Sequence, residues 1–234
     1  MNKIVLIFLA FAGLASAQVM QEPIVNTEAP AVASLPAFLQ GACNPSGTAC
    51  STNCGGAGTC SAILPGTTTN PSVIFLITLV TNTSSATACG HTMTLDATGS
   101  VYFQVYHYYN TAATACTVTV TATGGVYSNI AAVEMSAPGL TGVTDQAAAG
   151  TGTSATALSP GSGPVTLAGA ADAVVAAEYG STVLSCNTGL TVNSSLTFSF
   201  YFTIITGSIK SGSFQLTCPL TYSDTWGAIF DAVL

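Results

Sequence analysis

Apolar and polar residues alternate along much of this chain, and the alternation has the two-residue period of a β-strand. Residues 100–109 set Val101, Phe103, Val105 and His107 on one face and Tyr102, Gln104, Tyr106 and Tyr108 on the other. Residues 116–123 repeat the pattern, with Cys116, Val118 and Val120 opposite Thr117, Thr119 and Thr121. The longest alternation runs from Leu196 to Thr206. It places Leu196, Phe198, Phe200, Phe202 and Ile204 against Thr197, Ser199, Tyr201 and Thr203. Phe214, Leu216, Cys218 and Leu220 share a face, so Cys218 is expected to point into a core. The closing run from Asp224 to Leu234 sets Trp226, Ala228 and Phe230 against Thr225, Gly227 and Ile229. One segment does not alternate. Val73-Ile74-Phe75-Leu76-Ile77-Thr78-Leu79-Val80 is apolar almost throughout, the pattern of a strand buried on both faces.

Gly, Ser and Asn breaks separate these runs, and Thr206 to Gly212 is a turn signal between two strands. The fold class predicted is all-β, an antiparallel β-sandwich of jelly-roll-like kind. Ala171 to Tyr179 carries valines and flanking turns that favour a strand over a helix. Ala147 to Gly163 is rich in Ala, Gly, Thr and Ser, a long loop or an extended edge. Four divisions are expected: residues 1–17 a secretory signal, 18–40 an extended Pro-containing arm, 41–65 a small Cys-rich segment, and 66–234 the sandwich. The arm holds Pro23, Pro30 and Pro36, with a short helical turn expected at Leu35 to Gln40. The Cys-rich stretch has no hydrophobic period and is expected to depend on disulfides for its shape.

Charge then narrows the functions open to the chain. There is no arginine, and beyond Lys3 the only lysine is Lys210, against nine carboxylates. Lys3 belongs to the signal: a cationic start, the apolar run Ile4 to Phe11, and the small-residue ending Ala15-Ser16-Ala17. Phosphate recognition relies on Arg and Lys, so nucleic-acid and nucleotide partners are excluded, and anionic lipid is disfavoured. Only 5% of residues are charged, where an ordinary globular protein has about 25%. The surface is therefore built of Thr, Ser, Gly, Asn and Ala, without the lysines that guard sheet edges against pairing with another chain. No second apolar run reaches the roughly 18 residues of a spanning helix. The expected location is secreted, extracellular or at the cell surface, with no membrane insertion of the mature chain.

Eight cysteines after an export signal are disulfide candidates: Cys43, Cys50, Cys54, Cys60, Cys89, Cys116, Cys186 and Cys218. The first four are expected to pair among themselves. Their spacing, C-x6-C-x3-C-x5-C, lacks the paired C-x2-C knuckles of structural zinc sites. No metal and no cofactor is expected.

Other chemistry is sparse. His107 lies on an apolar strand face and is expected to be a packed, hydrogen-bonded histidine rather than a ligand or base. His91 follows Cys89-Gly90, but an oxidised Cys89 would be no nucleophile. The carboxylates Asp96, Glu134, Asp145, Asp172, Glu178, Asp224 and Asp231 are scattered singly, and nothing selects two of them as a glycosidase pair. Asp145 or Asp172 with loop carbonyls would be the place for calcium, yet no regular Asp-repeat loop occurs. Lys210-Ser211-Gly212 imitates the K-T-G element of penicillin-recognising enzymes without their S-x-x-K nucleophile. Asn82-Thr83-Ser84 and Asn193-Ser194-Ser195 match the N-glycosylation pattern and are expected to be turn residues. Tyr102, Tyr106 and Tyr108 form the best binding feature. Alternating aromatics can stack on sugar rings if that face is open, and are core residues if it is covered.

Val101 to Thr121, Ile130-Ala131-Ala132-Val133-Glu134-Met135-Ser136, and Thr144 to Ser154 with its D-x-A-A-A-G-T-G-T-S loop precede a closing strand, Asp224-Thr225-Trp226-Gly227-Ala228-Ile229-Phe230. In these stretches the chain resembles a group of secreted bacterial β-sandwich proteins of acidobacterial type, over roughly residues 72–234. The resemblance implies a sandwich and export, and carries over no catalytic residue. The expected role is that of an exported, non-catalytic structural or adhesive protein, self-associating or binding other surface proteins. Ile24, Val25, Val32 and Leu35 of the arm would add a strand to a neighbour's sheet. A carbohydrate-binding module using the tyrosine face is the alternative, with polysaccharide as partner. A secreted hydrolase is the third reading.

Overall fold

Every regular element among the described residues is a strand. The computed structural model describes residues 34–43, 58–80, 83–99, 103–123, 128–152, 164–169, 171–179, 190–198, 202–218 and 226–234. Sheet I runs, in spatial order, β1 (Phe38–Cys43), β9 (Ser128–Ser136), β3 (Ser72–Val80), β7 (Phe103–Asn110) and β6 (Thr94–Thr98). Sheet II runs β10 (Thr144–Gly152), β16 (Trp226–Val233), β12 (Asp172–Tyr179), β14 (Phe202–Ile209) and β13 (Leu190–Phe198). Sheet III runs β2 (Gly58–Thr67), β8 (Ala115–Ala122), β4 (Thr83–Ala88) and β5 (His91–Thr92), and β11 (Val165–Leu167) pairs with β15 (Gly212–Phe214) as a ribbon. All described pairings are antiparallel.

The sandwich has more than two layers, and the uninterrupted apolar run explains why. In β3, Val73, Phe75, Ile77 and Leu79 enter the core between sheets I and II, while Ile74 and Leu76 enter the core between sheets I and III. Sheet I is thus covered on both faces, as the run Val73 to Val80 predicts. Sheet II is covered twice as well. Ala173, Val175, Ile229 and Val233 face sheet I, and Val174, Ala176, Phe230 and Ala232 face a third core closed by Leu167, Phe214, Leu216 and Cys218. Phe75 is fully buried, and truncating it to alanine would cost about 3–5 kcal/mol.

Two expected boundaries dissolve in this arrangement. Phe38 to Gln40, expected as the helical end of the arm, are extended and begin β1, which pairs with β9. The outer parts of the Cys-rich segment are likewise strands, since Gly58 to Ile63 pair with β8 in register. Segments with little periodicity of their own become strands when a neighbour supplies the ladder. The long alternation from Leu196 to Thr206 is not one strand either. β13 and β14 form a hairpin with Phe198 opposite Phe202, because a reversal leaves no mark when the pattern continues across it. The strand expected at Phe214 to Leu220 ends at Phe214, although Leu216 and Cys218 are buried as expected.

Cys89 and Cys116 form a disulfide that ties the β4–β5 hairpin to β8 across 27 residues. Closing a loop of that length is worth about 3.5 kcal/mol by chain entropy. Cys89 and Gly90, the two residues of the turn, both have positive φ, as a type I′ hairpin turn requires. Cys43, Cys60 and Cys218 are also disulfide-bonded; Cys50, Cys54 and Cys186 lie outside the described residues.

Candidate functional site

Within the largely apolar layer between sheets I and II, three ionisable side chains meet. His107 comes from the inward face of β7, the face it shares with Phe103 and Val105, and is 5% exposed. Asp96 comes from β6, where the register with β7 shifts between Leu95 and Ala97. A bulge inserts one unpaired residue and re-aims its side chain, and here it delivers Asp96 to the imidazole. Asp96 Oδ2 lies 2.8 Å from His107 Nδ1, with the Asp96 side chain 1% exposed. Asp231 comes from β16, between Ile229 and Val233 on the face turned to sheet I, and is fully buried. One ligand-capable atom from each of the three lies within 4.8 Å of the others.

The surroundings fix the ring. His107 Nε2 is 3.0 Å from the Gly142 carbonyl, and a carbonyl only accepts, so Nε2 carries the hydrogen and Nδ1 faces the carboxyls. Gly142 has φ +72, and a Cβ there would lie 2.3 Å from Tyr109 Cγ, so only glycine brings that carbonyl into place. The neighbouring chain is pinned: the Thr141, Gly142 and Val143 amides all donate to Leu234 O, at 2.8, 2.8 and 3.2 Å. Thr144 Oγ1 donates to Asp96 Oδ1. Asp231 is served differently, because neither of its oxygens finds a donor in normal hydrogen-bond geometry. Burial, and then the Asp96 carboxyl, push Asp231 well above the usual carboxylate range, against a smaller opposing pull from the Ala232 backbone.

A second pair of carboxyls sits on the opposite face of sheet II. Asp145 is the extra residue where the register of β10 with β16 shifts, between Thr144 and Gln146. The bulge sends Thr144 toward Asp96 and lets Asp145 turn the other way. Asp145 Oδ2 accepts from the Ala168 amide at 2.6 Å. Asp172, at the start of β12, has no exposed surface and no donor on either oxygen. Burial first, and then the charge of Asp145, raise the Asp172 carboxyl to about 7. Gly169 makes room, since a Cβ there would lie 1.8 Å from Asp172 Oδ1.

The remaining expected residues are placed as follows. Tyr106 is 6% exposed and packs between sheets I and III, its hydroxyl donating to Gln104 Oε1 at 3.1 Å. Tyr108 is half-buried and stacks on His91, with ring centroids 5.2 Å apart. Tyr102 lies outside the described residues. Cys89 is oxidised, so it offers His91 no thiolate. Glu134 is fully buried and satisfied: Oε1 accepts from the Thr69 amide at 2.6 Å and Oε2 from Gln40 Nε2 at 2.5 Å. Lys210 is exposed between β14 and β15. Asn193 Nδ2 donates to Thr206 Oγ1 at 2.6 Å.

Asp96 and Asp231 are the partners the sequence leaves unnamed. They are 135 positions apart in a chain numbered 1–234, and one sits on a bulge that no pattern announces. The signal for them is indirect: an arginine-free chain with one histidine on an apolar strand face must meet that histidine with a carboxylate or a carbonyl. Comparison of the chain with protein-family models, with curated proteins and with solved structures finds no match.

Proposed function

We propose that this chain is an exported, non-catalytic structural or adhesive protein of the cell surface or extracellular matrix, whose copies associate through sheet edges. The observation that carries the reading is the edge at β1. Among the described residues six large apolar side chains are exposed, and three of them, Leu35, Phe38 and Leu39, fall within five residues of one another at an edge of sheet I. Leu39 is the residue at which the register with β9 shifts. No lysine or arginine lies in this stretch to discourage pairing. An extended apolar segment beside an edge strand is the material of strand addition.

Two further features support the reading. Among the described residues, Asp96, His107 and Asp231 cluster between sheets I and II with side chains that are almost wholly buried. The disulfides, of which Cys89–Cys116 joins β8 to a hairpin, suit a protein that persists outside the cell. The carbohydrate-binding alternative loses support to the burial of Tyr106.

The test is the oligomeric state of the oxidised protein lacking residues 1–17, by light scattering and negative-stain microscopy. Ordered oligomers or fibres are expected, and both deletion of residues 18–33 and the pair Leu35→Ser, Leu39→Ser should return monomers. A wild-type protein that stays monomeric at all concentrations overturns the proposal. Polymers that survive both changes remove the arm and the β1 edge from it.

A further inference from the structure

We infer that Asp96, His107 and Asp231 bind one divalent transition-metal ion, Zn²⁺ being the best fit, as a three-ligand site that clamps sheet I to sheet II. The ligand types come first. One imidazole nitrogen and two carboxylate groups suit a borderline ion such as zinc, whereas calcium takes six to eight oxygens and magnesium holds its waters. The geometry follows. Four ligands around zinc at about 2.0–2.2 Å lie roughly 3.3 Å from one another. The three ligand-capable atoms are within 4.8 Å, and the Asp96–His107 pair is 2.8 Å apart, so small rotations suffice to surround an ion.

The ring is already oriented for the task. A metal-bound histidine donates its other nitrogen to a carbonyl or carboxylate, which fixes the tautomer. His107 Nε2 meets the Gly142 carbonyl at 3.0 Å, leaving the Nδ1 lone pair aimed at the carboxyls. Asp96 has a comparable outer partner in Thr144 Oγ1.

The independent observation is Asp231. It is fully buried, points into the cluster, and neither oxygen has a donor. Buried carboxylates are ordinarily paired with a cation or hold a metal. This chain has no arginine, and Lys210 is exposed. One divalent ion beside a neutral imidazole balances both carboxylates of the cluster. It also joins β6 and β7 of one sheet to β16 of the other.

The test uses the whole oxidised chain. The protein is purified without added metal, its zinc content measured, stripped with a chelator, and titrated with Zn²⁺ or Ca²⁺ while Tm is followed. Near-stoichiometric zinc, or a Tm that climbs with the logarithm of free Zn²⁺ and ignores Ca²⁺, is expected. Asp231→Asn keeps the shape and a polar group while removing a ligand. It should lower Zn²⁺ affinity at least about 100-fold, the upper cost of losing an outer-shell partner. Asp172→Asn, on the other face of sheet II, should leave affinity unchanged. A wild-type chain that neither carries zinc nor gains Tm from it overturns the inference and leaves the cluster to shared protons. Zn²⁺ binding that survives Asp231→Asn, or that disappears with Asp172→Asn, overturns it as well.

Discussion

On the face of sheet II turned toward sheet I, two buried carboxyls share their enclosure with an imidazole; on the opposite face, two carboxyls meet without one. Both groups are fed by consecutive residues of one bulge, Thr144 and Asp145. The inner group has a ring that can carry charge or hold an ion, with a carbonyl fixing its tautomer. The outer pair has only the Ala168 amide, held by Asp145, and Asp172 is driven to about 7. The contrast teaches what a chain without arginine does with buried acid. It recruits a histidine where two sheets must be joined, and it relies on a proton where a ribbon and a loop merely cover a sheet. Glu134 shows a third solution, since it is equally buried and meets two protein donors.

The largest test of this contrast is His107→Leu, which leaves Asp96 and Asp231 enclosed without the imidazole that partners Asp96. A loss of about 3 kcal/mol in urea unfolding is expected, the upper part of the cost of leaving a buried acid without its hydrogen-bond partner. An unchanged midpoint would mean that the inner carboxyls do not depend on the imidazole. Next is Gly169→Ala, whose new methyl must push against Asp172 Oδ1. It should cost about 1–3 kcal/mol as overpacking, and most of that should vanish when Asp172→Ala is added. Additive effects in that double-mutant cycle would show that the glycine matters for another reason.

The smallest effect is one of pH. An unfolded aspartate titrates at about 3.9, whereas folded Asp172 holds its proton to about 7. The native state therefore binds more protons between those values, and this group's contribution falls as pH rises through that window. Asp172→Asn should match wild type near pH 4 and exceed it at pH 8. A difference of about 1 kcal/mol would appear as about 2–4 °C in Tm for a chain of this size. Parallel curves for the two proteins would place the Asp172 carboxyl in water and end the comparison.

The sequence made the strand faces legible because burial on one or both sides of a sheet imposes a period that survives in the residues. Val73 to Val80 announced a middle layer, and Phe103, Val105 and His107 were assigned to the face they occupy. Three other features left little trace. Phe38 to Cys43 and Gly58 to Thr67 are strands through their partners rather than their own alternation. The hairpin of β13 and β14 is silent because its two arms repeat one pattern. The site was half legible. His107 could be named as packed and hydrogen-bonded, but Asp96 acts through a bulge and Asp231 through a strand far along the chain, so their meeting is a property of topology alone.

That topology has a temporal side. β16 follows β10, β12 and β14 in chain order, yet it lies inside sheet II, between β10 and β12. While the chain is being made, everything up to Ile209 can emerge before the strand that will separate β10 from β12 exists. Each of them then presents a bare ladder, and Asp96 and His107 wait for the third companion that β16 supplies. Removing residues 226–233 would therefore take away the seam of sheet II and the closing member of its polar cluster in one stroke.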